Sequence, residues 1–372
     1  MSDPDLPAPD QAPGAPHPRE AAQLFGQSQA EAAFLDAFTS DRLHHGWLLT
    51  GPRGVGKATL AWRIARFLLA TPPAEEDGLF GAPPPPETLD IAPDHPVAHR
   101  LMAGSDPGLA LIRRSVNDQG RMRDQIVVDD VRRLNRFFGL SATDGGRRVV
   151  IVDSADLMNV SAANALLKML EEPPARTTLL LISHQPSGLL PTIRSRCRTL
   201  RLGTLNADDM AAALAQAGAE LPPDTDHLAA LAGGSVGDAM RLLNQGGLDI
   251  YAELVGILAT LPRLDRPRAL RLAEAAAQRG AAEKFELLLT LVEIALARLA
   301  RTGATGAPPV PPAAKGEAEM LMRLSPNAAK ARDWADVATL ISQRVRHGQA
   351  VNLDPAALVL DTVFKIEETA AG

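Results

Sequence analysis

The densest concentration of chemistry in this sequence is a glycine-rich run ending in lysine, Gly51-Pro52-Arg53-Gly54-Val55-Gly56-Lys57. Glycines let backbone N–H groups approach phosphate oxygens, a helix N-terminus favours an anion, and a lysine reaches the outer phosphates of a nucleotide. The candidate nucleotide-binding residues are therefore Gly51, Gly54, Gly56 and Lys57, together with Thr59, which falls one position late for its usual task. The residue directly after the lysine should carry the hydroxyl that holds Mg²⁺; here it is Ala58. A further candidate is Asp153, which closes the run Val149-Val150-Ile151-Val152. An aspartate at the end of such a strand orients the water shell of Mg²⁺. The next residue, where a general base would stand, is Ser154, whose hydroxyl takes up no proton near neutral pH. Finally, Arg194, Arg196, Arg198 and Arg201 lie within eight residues. Two readings stand for that run: a solvated basic surface, or a guanidinium fork set out for phosphate oxygens.

These residues need elements to position them. Trp47-Leu48-Leu49 reads as a buried strand leading into the glycine loop, and Ala58 to Leu69 carries apolar residues at helical spacing. Val149 to Val152 is a β-branched run without alternation, the pattern of a central parallel strand covered on both faces. Asp153 then falls at its carboxyl edge, where open α/β sheets bind ligands. Leu109 to Ile112, Ile126 to Val128 and Leu179 to Ile182 read as further strands. Val131 to Leu140 reads as a helix bearing Arg132, Arg133 and Arg136, and Ser161 reads as the N-cap of a helix stopped by Pro173-Pro174. Alternating strands and helices from residue 47 to 202 predict a doubly wound parallel sheet. No strand signal comes after Leu202: short helical patterns fill 206–244, and about five helices are expected from residue 250 to the end. The expected organisation is a disordered, proline-rich tail over 1–18, an α/β domain over 19–203, a small helical domain over 204–246 and an all-helical domain over 247–372. A proline-rich irregular insertion is expected over 71–96.

Composition narrows the function classes. At 372 residues, with 46% hydrophobic and 22% charged residues, the chain suits two or three ordinary globular domains. A net charge of −6 argues against a surface coated by nucleic acid, leaving room only for a local basic groove. The single cysteine, Cys197, excludes an internal disulfide and a multi-cysteine zinc site, so no metal is expected. His44-His45 and the pair His95 and His99 lack partner ligands at metal spacing. No basic, apolar leader and no apolar run near 20 residues is present, so a soluble cytoplasmic protein without membrane contact is expected.

Taken together, HHGWLLTGPRGVGKATLA at 44–61, VVIVDSADLM at 149–158, NALLKMLEEPP at 164–174, LISHQP at 181–186 and IRSRCRTLRL at 193–202 resemble the AAA+ clamp-loader family, whose members open sliding clamps for DNA polymerases. NLDPAALVLD at 352–361 is similar to a motif near that family's C-terminus. The resemblance implies an AAA+ α/β domain, a helical lid over 204–246 and a helical collar for oligomerisation over 247–372. It implies gamma/tau-type and delta-type subunits as partners, with the sliding clamp and primer–template DNA reached as part of the assembly. It also implies a role for Arg196, the arginine of Ser-Arg-Cys, as a finger acting in trans on a neighbour's ATP, and makes Arg132, Arg133 and Arg136 candidates for DNA phosphates. Active relatives carry a glutamate after the strand aspartate and a lid arginine that reaches the γ-phosphate; here Ser154 and Gly237 stand at those positions. With Ala58 that makes three missing parts, so the chain's own ATP hydrolysis is expected to be absent, and weak ATP or ADP binding and a purely structural turn both remain readings of the loop. Many relatives carry a four-cysteine zinc module between the loop helix and the next strand. That region has no cysteine here, although HRLMAGSDPGLALI at 99–112 resembles the segment on the C-terminal side of the module. The alternative is a catalytically active motor subunit, which would need Ala58 and Ser154 compensated elsewhere.

Overall fold

The computed structural model of the chain describes residues 8–11, 14–40, 42–71, 84–139, 146–223, 225–278 and 280–372. Packing divides it into two compact units: residues 1–218 with Ser235–Gly237, and residues 219–234 with 238–372. The helices expected over 204–246 thus do not pack as a unit of their own. The first of them stays with the sheet, where the side chain of Gln216 accepts the Gln23 N–H at 2.8 Å and donates back to its carbonyl at 3.0 Å.

The first unit is built on five parallel strands: β1 (Gly46–Thr50), β2 (Leu109–Ile112), β3 (Arg148–Val152), β4 (Thr177–Ser183) and β5 (Arg198–Arg201). Their order is β2-β3-β4-β1-β5, with β1 between β4 and β5. Its helices are α1 (Ser28–Thr39), α2 (Lys57–Ala70), α3 (Pro96–Met102), α4 (Val128–Gly139), α5 (Val160–Glu171), α6 (Pro191–Arg194) and α7 (Ala207–Gln216). Period-two alternation divides the central strands between two cores. Leu48, Val150, Val152, Leu179 and Leu181 pack with Val131 and Leu134 of α4 and Leu166 and Leu170 of α5. Trp47 points to the other face and meets Phe34 of α1 at 5.0 Å between ring centroids. Burial on both faces is why these strands read as unbroken apolar runs. The expected parallel α/β sheet, with its glycine loop between β1 and α2, is what forms.

Three local expectations are corrected. Ile126–Val128 is not a strand, since Ile126 makes only an isolated bridge to Met158. The buried carboxylate of Asp130 accepts the Val127 N–H at 3.0 Å, and the chain turns directly into α4. The N-cap of α5 is Asn159, whose side chain accepts the Ala162 N–H at 2.9 Å; Ser161 lies inside the helix. Part of the stretch expected to be a disordered tail is packed: Asp10 is buried against Arg113 and His17, and the His17 ring meets the Trp62 ring edge-on at 5.5 Å. Of the proline-rich insertion, residues 72–83 lie outside the described residues, and 84–95 form no helix or strand.

The second unit is helical throughout its described residues: α8 (Thr225–Ala232), α9 (Val236–Asn244, its first two residues belonging with the sheet unit), α10 (Gly247–Leu258), α11 (Arg266–Ala276), α12 (Ala282–Thr305), α13 (Glu317–Leu324), α14 (Ala328–Ala350) and α15 (Pro355–Ala371). NLDPAALVLD sets the start and docking of α15. Asp354 caps it by accepting the Ala357 N–H, Pro355 occupies its first turn, and Leu358 packs where a side chain on Gly348 of α14 would collide. Asp361 completes the seam with a bidentate pair to Arg344 at 2.7 and 2.8 Å.

Candidate functional site

The glycine loop takes the phosphate-cradling shape. Gly54 and Gly56 adopt left-handed φ of 70° and 96°, which side-chain-bearing residues rarely reach. Gly56 also serves as the N-cap of α2 without any side-chain acceptor, so the first N–H groups of that helix face the loop's concavity. Lys57 is folded onto its own loop: its ammonium donates to the carbonyl of Gly51 at 2.7 Å and to that of Pro52. Desolvation lowers its pKa to about 8, despite the raising influence of Asp153 and Asp156.

Gly237, where the resemblance places a lid arginine in active members, lies against the loop. The N–H of Val236 donates to the Gly54 carbonyl at 2.9 Å, with that of Gly237 at 3.4 Å. A Cβ on Gly237 would stand 3.1 Å from Gly54 Cα, so a side chain there requires backbone movement. Glycine at 237 therefore does more than leave out a guanidinium. It lets the chain seal one side of the loop.

Asp153 sits at the end of β3, its N–H donating to the Ile112 carbonyl at 2.9 Å. Burial, with the nearby Asp10 charge, raises its pKa to about 6. The Ser154 hydroxyl donates to Asp153 Oδ1 at 3.0 Å and lies 3.0 Å from His184 Nε2. A hydroxyl has one proton, so Nε2 is the protonated ring nitrogen and donates to Ser154. His184 Nδ1 is buried without a partner, and burial, Lys57 and Arg53 push the imidazole pKa down to about 4. At neutral pH His184 is a neutral donor facing Ser154, not a base for water. Asp156 fixes this end of β4, accepting from the Ser183 hydroxyl at 2.6 Å and from the backbone N–H of His184.

These residues do not fit the Mg²⁺ that the fold family uses. Position 58 has no hydroxyl, Asp153 is engaged by Ser154, and among the described residues no three potential ligands cluster. His95, one of the histidines weighed for metal, caps α3 by accepting the Val97 N–H at 3.2 Å. His44 and His45 stack on each other at 4.4 Å, and His45 Nε2 bonds the Leu170 carbonyl at 2.9 Å.

Placing Asp153 next to Asp10 has a measurable consequence. A carboxyl whose folded pKa is raised carries no penalty below its unfolded value near 3.8, and an increasing one as pH climbs to about 6. His184, with its depressed pKa, titrates the other way across nearly the same window, so the wild-type profile partly cancels. Asp153→Asn isolates the carboxylate. The variant is expected to match wild type near pH 3.5 and to exceed it by about 3 kcal/mol above pH 6.5, two units at about 1.36 kcal/mol each. Equal unfolding midpoints at both pH values would show that Asp153 is not held under strain.

Arg196 belongs to a different edge. It lies between α6 and β5, the edge strand, and its side chain is 37% exposed. Its guanidinium donates to the Thr192 carbonyl at 3.1 Å and forms an ion pair with the Glu171 carboxylate at 3.0 Å. Neighbouring Cys197 is turned inward, and burial pushes its thiol up to about 12, so it packs and does not react at neutral pH. In α4, Arg132 pairs with Asp129 and Arg133 with Asp130, each at 3.1 Å, so two of the three charges named for DNA are partnered one turn back. His184, Asp156 and the Asp10 network were not anticipated as site residues. The first two lie within recognisable motifs, but only the fold aims them at Ser154 and at the end of β4.

Residues 26–206 match the family model described as DNA polymerase III, delta subunit. Residues 26–206 belong to the AAA+ clamp-loader family. The chain is 40% identical over 212 residues to the DNA polymerase III subunit delta' of Pseudomonas aeruginosa, covering 57% of this chain and 59% of that one. It is 33% identical over 163 residues to the Escherichia coli subunit delta', covering 44% and 43%. With the subunit tau of Salmonella typhimurium it shares 28% identity over 296 residues, covering 76% of this chain and 41% of the relative. The chain spans about half the length of the curated relatives it matches. Among the described residues no helix is long and apolar enough to cross a membrane.

Proposed function

We propose that this chain is a delta prime-type clamp-loader subunit that does not hydrolyse ATP itself but completes the ATP site of a neighbouring subunit with Arg196. The observation that carries this reading is the contrast between two sites on one sheet. At the glycine loop, Lys57 is bonded to loop carbonyls, Gly237 lies against Gly54, and Ser154 ties up Asp153. At the β5 edge, a permanently charged fork stands partly exposed, the form in which arginine stabilises charge during phosphoryl transfer.

In this reading the neighbour is a gamma/tau-type subunit. The helical unit acts as collar, and the assembly opens a sliding clamp on primed DNA in the cytoplasm. The chain needs no nucleotide or metal of its own: the loop serves as the strand-to-helix turn that holds β1 and α2 together. The test is to measure hydrolysis by the isolated chain, then by complexes reconstituted with gamma/tau-type and delta-type subunits. No turnover above background is expected from the chain alone. In the complex, Lys57→Ala should leave DNA-stimulated turnover unchanged and Arg196→Ala should lower it. The opposite pattern would assign the chain as a motor subunit.

A further inference from the structure

We infer that Glu171 is a positioning residue for Arg196: it holds the guanidinium at the β5 edge with donors still free for a phosphate. This rests on the proposed role of Arg196 as a finger and extends it to the residue that aims the finger.

Glu171 is the last residue of α5, beside the unpaired carbonyls of the helix end. A carboxylate is disfavoured there by the helix dipole, so the local rule for helix ends is broken at this position. What it gains is Arg196. Nη2 stands 3.0 Å from Glu171 Oε1 in an ion pair, and Nη1 donates to the Thr192 carbonyl at 3.1 Å. A guanidinium has five N–H donors in a fixed plane. Contacts to the end of α5 and to the turn of α6, with Ser195 Oγ 3.5 Å from Nη1, define that plane and leave part of the donor set, including the Nε N–H, for an anion. Two-point fixation is the condition under which an arginine loses least freedom when it meets a phosphate.

The backbone beneath is built to the same tolerance. Gly46, the first residue of β1, is wedged between the end of α5 and the Ser-Arg-Cys turn. A Cβ there would lie 2.9 Å from Leu170 Cδ2, 3.1 Å from the Arg196 carbonyl oxygen and 3.3 Å from Cys197 Sγ. Glu171 and Arg196 are thus carried by segments that cannot shift independently. The pair is an open surface contact, 44% and 37% exposed on the two side chains, so stability does not account for its placement.

The test uses the reconstituted complex, with ATP as the probe and DNA-stimulated hydrolysis measured against ATP concentration. Glu171→Ala should slow single-turnover hydrolysis at the adjoining site about tenfold with the ATP concentration for half-saturation unchanged, because it loosens a group that acts in the transition state and not in ATP binding. Glu171→Gln keeps an oxygen facing Nη2 at the same reach and should stay within about threefold of wild type. The double variant with Arg196→Ala should be no slower than Arg196→Ala alone, since a residue that acts through Arg196 has nothing left to act on. If Arg196→Ala itself is without effect, the finger reading fails and this inference with it. If Arg196→Ala is impaired while Glu171→Ala equals or exceeds wild type, the positioning role alone is wrong. A double variant slower than Arg196→Ala would place the action of Glu171 elsewhere, and unequal thermal midpoints for the Glu171→Ala and wild-type chains would assign its loss to folding.

Discussion

Replacing Arg196 with alanine is expected to slow hydrolysis at the adjoining subunit's ATP site by about 10³-fold, the lower end of what an arginine finger contributes. Total turnover of the complex would then fall to whatever its remaining sites supply. The effect should be largest in single-turnover measurements, which report the chemical step directly. Arg196→Lys should rescue little. The ammonium keeps the charge but not the planar fork, and with three N–H groups it cannot engage Glu171 and Thr192 and still offer two donors to a phosphate. The side chain is partly exposed and its ion pair is a surface one, so neither variant should move the thermal midpoint appreciably. Wild-type single-turnover rates with Arg196→Ala would remove Arg196 from the chemistry.

The second large effect is expected far from any phosphate. Glu317, at the start of α13, is fully buried and accepts four hydrogen bonds: from Tyr251 Oη at 2.6 Å, from Arg298 Nε at 2.7 Å and Nη2 at 2.9 Å, and from the Ala313 N–H. Those bonds tie α10, α12, α13 and the connection before α13 to one carboxylate. Burial and the Glu317 charge together raise the Tyr251 pKa, which keeps its hydroxyl a donor at any ordinary pH. Glu317→Ala leaves the Arg298 charge, 12% exposed, and the Tyr251 hydroxyl without their acceptor. Removing one partner of a buried pair costs roughly 3–5 kcal/mol. At about 2–4 °C per kcal/mol for a unit of this size, the thermal midpoint should drop by roughly 10 °C. Replacing both partners, as in Glu317→Leu with Arg298→Met, should recover much of that loss, because no uncompensated charge remains. A single-variant loss below about 1 kcal/mol would mean that water reaches the site, contrary to its burial.

What could be read from the sequence tracked the range of the interaction involved. β1, β3 and β4 were legible because burial on both faces leaves unbroken runs such as Val149–Val152. The glycine loop, Asp153 and the Arg196 turn were legible because each is a local pattern whose chemistry needs particular neighbours. The start of α4 was misread because a buried aspartate, Asp130, sets it, and residue type alone does not reveal a buried polar group. The surroundings of Asp153 were invisible for a different reason. His184 reaches Ser154 across 30 residues and Arg113 reaches Asp10 across 103, and no periodicity records such pairings. Gly237 could be recognised as lacking a guanidinium, but its contact with Gly54 needed coordinates.

The packing of Asp10 and His17 also bears on where this protein can be cut. Composition invites an expression boundary at residue 19, after the last proline of the opening stretch. That deletion would take the carboxylate from Arg113 and the imidazole from the edge of Trp62, opening apolar surface on α2. A fragment starting there should express as a less soluble protein with a lower melting temperature than one that retains Asp10. A side-by-side melt of the two would show whether the minimal folded domain begins some ten residues earlier than its hydropathy suggests.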